Sequence, residues 1–213
     1  MFRIGLTGGI ASGKSAVAAM LVEAGAKVVD TDLVAHQLME PGQPVYEQVL
    51  AHFGASILAP DGQIDRRVLG GIVFADESQR EQLNQIVHPG VKAALRQIET
   101  ELRAQETERA QSGAKKNFLL VLVIPLLYEV NMAHFVDKTI VVYCPEAVQK
   151  ERLMARNGFS ESEAQARIDA QLSIEIKAEK ADEVIDNSRD LESTREQLNW
   201  ILGELTWDPY TAS

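Results

Sequence analysis

The run Phe118-Leu119-Leu120-Val121-Leu122-Val123-Ile124 contains apolar residues only. Successive side chains of a strand point to opposite faces, so a strand with one wet face alternates apolar and polar residues. A run without alternation needs cover on both faces, as in the centre of a parallel sheet. Strand-like runs at Phe2 to Thr7, Lys27 to Asp30, Lys138 to Tyr143 and Glu183 to Ile185 share the chain with helical patterns such as Ala16 to Glu23. That order predicts an α/β fold, a parallel sheet flanked by helices.

The stretch between Asp30 and Phe118 is too long for one crossover and has little strand character, so it is expected to be a helical insertion. Turn signals divide it at Pro41-Gly42, Gly54, Pro60-Asp61-Gly62 and His88-Pro89-Gly90. Val91, Leu95, Ile98 and Leu102 then recur on one helix face, and the polar stretch from Glu106 to Asn117 reads as a fraying end and a loop. A second insertion opens at Cys144-Pro145 and stops at Asn157-Gly158, where Ser160 and Glu163 begin another helix with capping-box spacing. Leu191, Leu198, Ile201, Leu202 and Leu205 give a last helix its packing face.

Gly8-Gly9-Ile10-Ala11-Ser12-Gly13-Lys14-Ser15 matches G-x-x-x-x-G-K-[ST], directly after an expected strand and opening an expected helix that continues with Ala16. Backbone N–H groups of such a loop point inward, and the helix N-terminus adds its dipole, so the loop is an anion site. Lys14 is expected to reach the β- and γ-phosphates of ATP, and Ser15 to place its hydroxyl on Mg²⁺. The chain has no N-K-x-D or D-x-x-G element of a GTPase switch. No Asp closes the Phe118 strand, where a P-loop ATPase would place a metal-organising residue; Pro125-Leu126-Leu127-Tyr128-Glu129 follows instead. Asp30 and Asp32 close the Lys27 strand and are expected to face the cradle from the adjacent strand, where a carboxylate can take a hydroxyl proton or hold a metal-bound water. Either could also simply cap the helix starting near Leu33. This placement suits a small-molecule kinase.

Arg152 and Arg156 lie four apart on one helix face, with Arg167 on the facing helix. Guanidinium forks bind phosphate oxygens bidentately, so at least one is expected to close on ATP and exclude water. Asp65 reads as an N-cap or a functional carboxylate, His88 as structural or catalytic, and His36 falls one turn beyond Asp32.

With these residues in place, the chain resembles the dephospho-CoA kinase family over roughly residues 1–205. The resemblance rests on Leu6-Thr7-Gly8-Gly9-Ile10, Asp30-Thr31-Asp32 with His36, Asp65-Arg66 with Leu69 and Val73-Phe74, and Ile86-Val87-His88-Pro89. It continues through Pro125 to Glu129, Gln149 with Arg152 and Arg156, Arg167 with Gln171, and Ala181-Asp182 with Asn187. It implies transfer of the γ-phosphate of ATP to the ribose 3′-hydroxyl of dephospho-CoA. It also implies a nucleotide-binding core (1–32, 115–145 and 181–213), a helical acceptor domain (33–114) and a lid (146–180). Carried over, Asp32 is the carboxylate beside the acceptor hydroxyl, Arg66 and His88 shape the acceptor pocket, Arg152 or Arg156 is the lid arginine, and Asn187 and its neighbours lie close to the adenine; His36 is expected beside the acceptor pocket if the residues after Asp32 are helical. Ala11 stands where glycine is common, Thr31 where alanine is usual, Tyr128 where phenylalanine is frequent, and Ser188-Arg189 where a glycine is often found. Another nucleotide or nucleoside kinase, and a slow ATPase switch, are the competing readings.

Composition narrows the setting. Lys and Arg number 21 against 31 Asp and Glu, a formal charge of -10, so the far field repels polyanions and nucleic-acid binding is not expected. A single cysteine, Cys144, and an N-terminus that reaches glycines too soon for a signal peptide lead us to expect a cytoplasmic protein. No apolar run approaches the ~20 residues of a membrane span.

Overall fold

A computed structural model describes residues 1–111, 117–205 and 207. Among these, the sheet has five parallel strands, β1 (Phe2–Gly8), β2 (Lys27–Asp30), β3 (Leu119–Val123), β4 (Lys138–Tyr143) and β5 (Glu183–Asp186), in the order β2-β3-β1-β4-β5. Every residue of β3 is buried, as its unbroken apolar sequence requires. β3 pairs with β1 from Phe2↔Leu119 to Leu6↔Val123, and with β2 from Lys27↔Leu120 to Asp30↔Val123. The adjacency expected between the Asp30 strand and the cradle strand is therefore corrected: β3 lies between them.

Helix α1 (Lys14–Glu23) follows β1 and buries Val17, Met20 and Leu21 against a core that includes Ile4, Leu6, Val121, Ile140, Val142 and Ile185. The helical insertion comprises α2 (Thr31–Leu38), α3 (Pro44–Phe53), α4 (Arg66–Ala75) and the long α5 (Glu77–Gln111). After β4 come α6 (Glu146–Asn157), α7 (Glu161–Asp169) and α8 (Ile174–Lys180), and α9 (Leu191–Gly203) follows β5. The capping box of Ser160 and Glu163 opens α7, and left-handed Gly158 ends α6. In α9, Leu198, Ile201 and Leu202 are buried, but Leu191, assigned to the same face by spacing, is 57% exposed because it sits at the first position beyond the Asp190 cap.

The chain divides into two compact units, residues 1–30 with 105–213, and residues 31–104. The segment expected to form a lid, 146–180, falls within the first. In the same unit Glu106, near the end of α5, binds the N-terminal ammonium at 2.9 Å and accepts the Phe118 N–H at 2.5 Å. The middle of the stretch read as a fraying end, residues 112–116, lies outside the described residues.

In the second unit, Asp65 is indeed the N-cap of α4, accepting the N–H groups of Arg67 (2.9 Å) and Val68 (3.2 Å). The turn expected at His88-Pro89-Gly90 is corrected, because α5 runs straight through it. Pro89 has no N–H for the Gln85 carbonyl, a helix-breaking defect in isolation. Packing offsets it: a Cβ on Gly90 would lie 2.8 Å from Val45 Cγ2 and 3.2 Å from Leu38 Cδ1, so the bare glycine lets α5 approach α2 and α3 closely. Val87 and Val91 are buried on either side.

Candidate active site

Gly9 to Gly13 form the loop between β1, which ends at Gly8, and α1, which opens with Lys14 and Ser15. Gly13, the N-cap of α1, has φ 99°, and Ala11 has φ 57°. The left-handed region costs a residue with a Cβ roughly 1–2 kcal/mol, which accounts physically for glycine being common at the Ala11 position. Lys14 Nζ donates to the carbonyls of Gly8 (3.0 Å) and Gly9 (2.7 Å), which keeps the ammonium on the loop. Ser15 is exposed in the first turn of the helix.

Side chains distant in sequence brace the loop. Asn187, 3% exposed just after β5, donates its Nδ2–H to the Ser12 carbonyl (2.8 Å) and accepts from Thr194 Oγ1 (2.8 Å), while its own N–H donates to the Tyr143 carbonyl (2.8 Å). A Cβ on Gly13 would collide with Asn187 Nδ2, and one on Gly9 with Gln149 Oε1. The glycines of the motif thus serve close approach as well as backbone freedom. Gln149 is itself buried in α6 and donates to the Cys144 carbonyl at 3.0 Å. Burial pushes the Cys144 thiol up, so it stays protonated. Gln171, between α7 and α8, accepts the Ile10 N–H at 3.0 Å. The side chain of Asn187, expected near adenine, is committed to the loop.

The three arginines part company. Arg152, half-buried, donates to the Asn187 carbonyl at 2.9 Å and so stands beside a residue that touches the loop. Arg156 is exposed and bonds the Asn157 side chain, and Arg167 lies 3.9 Å from the centroid of the Phe159 ring while donating to the Glu163 carbonyl.

The second unit holds the other candidates. His36 and Arg66 line one cavity of about 200 Å³, together with Gln63, Leu69 and Val73. His88 lines a different, open groove of about 760 Å³ with Lys92, Arg96 and Glu81. The structure therefore groups His36 with Arg66 and leaves His88 apart. Burial first, and the Lys92 ammonium second, hold the His88 imidazole below its ordinary pKa. Asp32 is exposed in the first turn of α2, one turn before His36.

Residues 2–193 match the family model described as dephospho-CoA kinase. The chain belongs to the dephospho-CoA kinase family. A dephospho-CoA kinase of Carboxydothermus hydrogenoformans is 48% identical over 98% of this chain and 96% of its own length. Among solved structures, TT1252 from Thermus thermophilus superposes with a TM-score of 0.75 at 33% identity, covering 96% of this chain and 98% of that one. A dephospho-CoA kinase from Campylobacter jejuni gives 0.64 at 28% identity, covering 95% and 96%. The chain is accordingly a kinase that takes ATP as co-substrate. Among the described residues, no helix is long and apolar enough to cross a membrane.

Proposed function

We propose that this kinase transfers the γ-phosphate of ATP to the ribose 3′-hydroxyl of dephospho-CoA, giving coenzyme A and ADP. The observation that carries the reading is the braced phosphate loop of a chain that matches the dephospho-CoA kinase family along most of its length. The new bond joins the acceptor oxygen to phosphorus, the bond from phosphorus to the β,γ-bridging oxygen breaks, and ADP leaves. Asp32 takes the hydroxyl proton or orders the hydroxyl for attack. Lys14 moves from the loop carbonyls onto the β- and γ-phosphate oxygens, and Arg152 stabilises charge on the transferred group.

Ser15 is the protein oxygen that would hold Mg²⁺, which neutralises phosphate charge when bound. A single hydroxyl suits this ion, which keeps several waters and takes its other ligands from nucleotide phosphates. Among the described residues no group of three or more His, Cys, Asp or Glu forms a metal site, which fits a cation arriving with its nucleotide.

His36, Arg66 and His88 belong to the acceptor side of the reaction, and residues 33–114 to an acceptor domain. Lys92 and Arg96 give its open groove positive charge inside a protein of net charge -10, so an anionic acceptor is recognised locally. Residues 146–180 act as a lid that excludes water from the γ-phosphate.

The test is ADP release from MgATP with and without dephospho-CoA, with the acceptor product weighed by mass spectrometry. Acceptor-dependent ADP and a gain of one phosphate are expected; release indifferent to dephospho-CoA overturns the reading. Asp32→Asn should lower turnover by about 10²- to 10⁴-fold with ATP binding intact. Near-normal turnover in that variant would remove Asp32 from the role.

A further inference from the structure

Lys177 in α8 has a fully buried side chain, 0% exposed. Taking an ammonium out of water costs several kcal/mol per ion unless it is well paired, and a methionine of similar volume would avoid the cost. Its partners show what the charge accomplishes. Lys177 Nζ lies 2.7 Å from Glu129 Oε1 and donates to the Pro125 carbonyl at 3.1 Å. The same Glu129 oxygen accepts the Leu172 N–H at 3.0 Å, and Leu172 directly follows Gln171, whose Oε1 holds the Ile10 N–H of the phosphate loop. The Pro125 carbonyl also accepts from Thr7 Oγ1 at 3.1 Å, and Thr7 directly precedes Gly8. The bonds close a ring: from Thr7 through Pro125, Lys177, Glu129 and the Leu172 backbone to Gln171, then to Ile10 and back along the chain.

Ile10 precedes the left-handed Ala11 and lies outside the first turn of α1, so its bond to Gln171 leaves the N–H groups of that turn to an anion. A Gln171 carbonyl on Ile10 therefore need not compete with a nucleotide phosphate and can stay while ATP is bound. We propose that Glu129 and Lys177 are positioning residues which, through Leu172 and Gln171, hold the phosphate loop in its ATP-binding shape. The inference rests on the reading that ATP binds this loop, and it assigns a role to residues that touch no substrate.

A thermodynamic cycle read as MgATP affinity, by titration calorimetry on the full chain, tests it. One arm is Gln171→Ala. The other is Glu129→Leu with Lys177→Met, which removes the acceptor of the Leu172 N–H without stranding a buried charge. Each arm should weaken MgATP binding by about 3- to 10-fold, the worth of one net hydrogen bond. The triple variant should bind no more weakly than either arm, because both break the same ring. Should the pair variant fail to fold, Glu129→Gln with Lys177→Met replaces it, neutral on both sides, with a smaller loss that again vanishes in the Gln171→Ala background. Multiplying effects, or normal MgATP affinity in the folded pair variant, would make the ion pair a packing device only and overturn the proposal. A wild-type chain that binds MgATP but leaves dephospho-CoA unphosphorylated would overturn the acceptor reading alone and leave the cycle readable.

Discussion

The phosphate loop and the helical unit hold their candidate residues in opposite ways. Around the loop, Ser12 is 0% exposed, Gln149 2% and Asn187 3%, and they act through bonds to backbone carbonyls or by filling space beside glycines. In the helical unit, Asp32 and Arg66 stand exposed on helix surfaces, and His88 faces an open groove. A polyphosphate has the same shape in every turnover, so a rigid loop with fixed amides suits it. In the proposed reading the helical unit takes an extended acceptor of more varied chemistry, to which side chains on helices can adapt. Substitutions in the first region should therefore register in ATP affinity or transfer, and those in the second should be silent toward ATP binding.

Around the loop, the largest effect should come from Lys14→Ala. Losing the ammonium proposed to answer charge on the transferring phosphate should lower turnover by about 10²- to 10³-fold, as for loss of one transition-state donor. Steady-state kinetics with both substrates saturating measures it, and a loss under tenfold would break the contrast at its strongest point. Asn187→Ala comes next. It removes the donor to the Ser12 carbonyl and the shorter of the two acceptors of the Thr194 hydroxyl, leaving that hydroxyl the Asp190 carbonyl at 3.2 Å, a cost of about 1–3 kcal/mol. The urea midpoint should fall and the KM for ATP should rise in the same variant. A stability loss with unchanged KM would reduce Asn187 to packing.

These two residues also show what could be read in advance. The phosphate loop is a local signal: spacing, the preceding strand and the following helix all lie within the first residues of the chain. β3 was legible because an unbroken apolar run has one good solution, and the α7 capping box because its two partners are three apart. The contacts that brace the loop are not local. Asn187 to Ser12 spans a separation of 175 residues, and Ile10 to Gln171 spans 161. No periodicity encodes such a pairing: the resemblance that puts Asn187 near the adenine gives no sign of its bond to Ser12, and Lys177 is one charged residue among many that usually lie in water. The same logic explains the His88-Pro89-Gly90 reading: turn rules describe a chain in solvent, whereas Leu38 and Val45 reward a helix at Gly90. Order in the sheet escaped for a further reason, since β2 and β1 are close in sequence but β3 arrives later and inserts between them.

Gly90→Val sharpens the contrast from the helical side. The added side chain meets Val45 and Leu38 with no room to spare, and overpacking of this kind costs about 1–3 kcal/mol. The expected outcome is a lower melting temperature with MgATP affinity unchanged, since the atoms nearest the added Cβ belong to Val45 and Leu38, within residues 31–104. A matching loss of ATP affinity would show that the two regions are energetically coupled rather than separately built.

The smallest effect is a pH dependence carried by His88. Its folded pKa lies below the ordinary 6.5, chiefly through burial and secondly through Lys92, so the unfolded chain takes up the proton more readily. Stability from keeping this imidazole neutral is then fully present above pH 6.5 and is lost as pH falls through the lower folded value. Lys92 and Arg96 on the same groove oppose a third positive charge there, while Glu81 can offset only part of it. His88→Gln removes the titration and keeps polar groups facing the groove. Urea midpoints of wild type and variant should therefore differ more at pH 5.5 than at pH 7.5, with the variant losing less stability on acidification. Parallel losses in both proteins would place the acid sensitivity in carboxylates such as Asp182 instead. The Thr139 N–H and hydroxyl hold that carboxyl below its usual range, so its contribution also disappears as pH falls, but at lower pH and equally in both proteins.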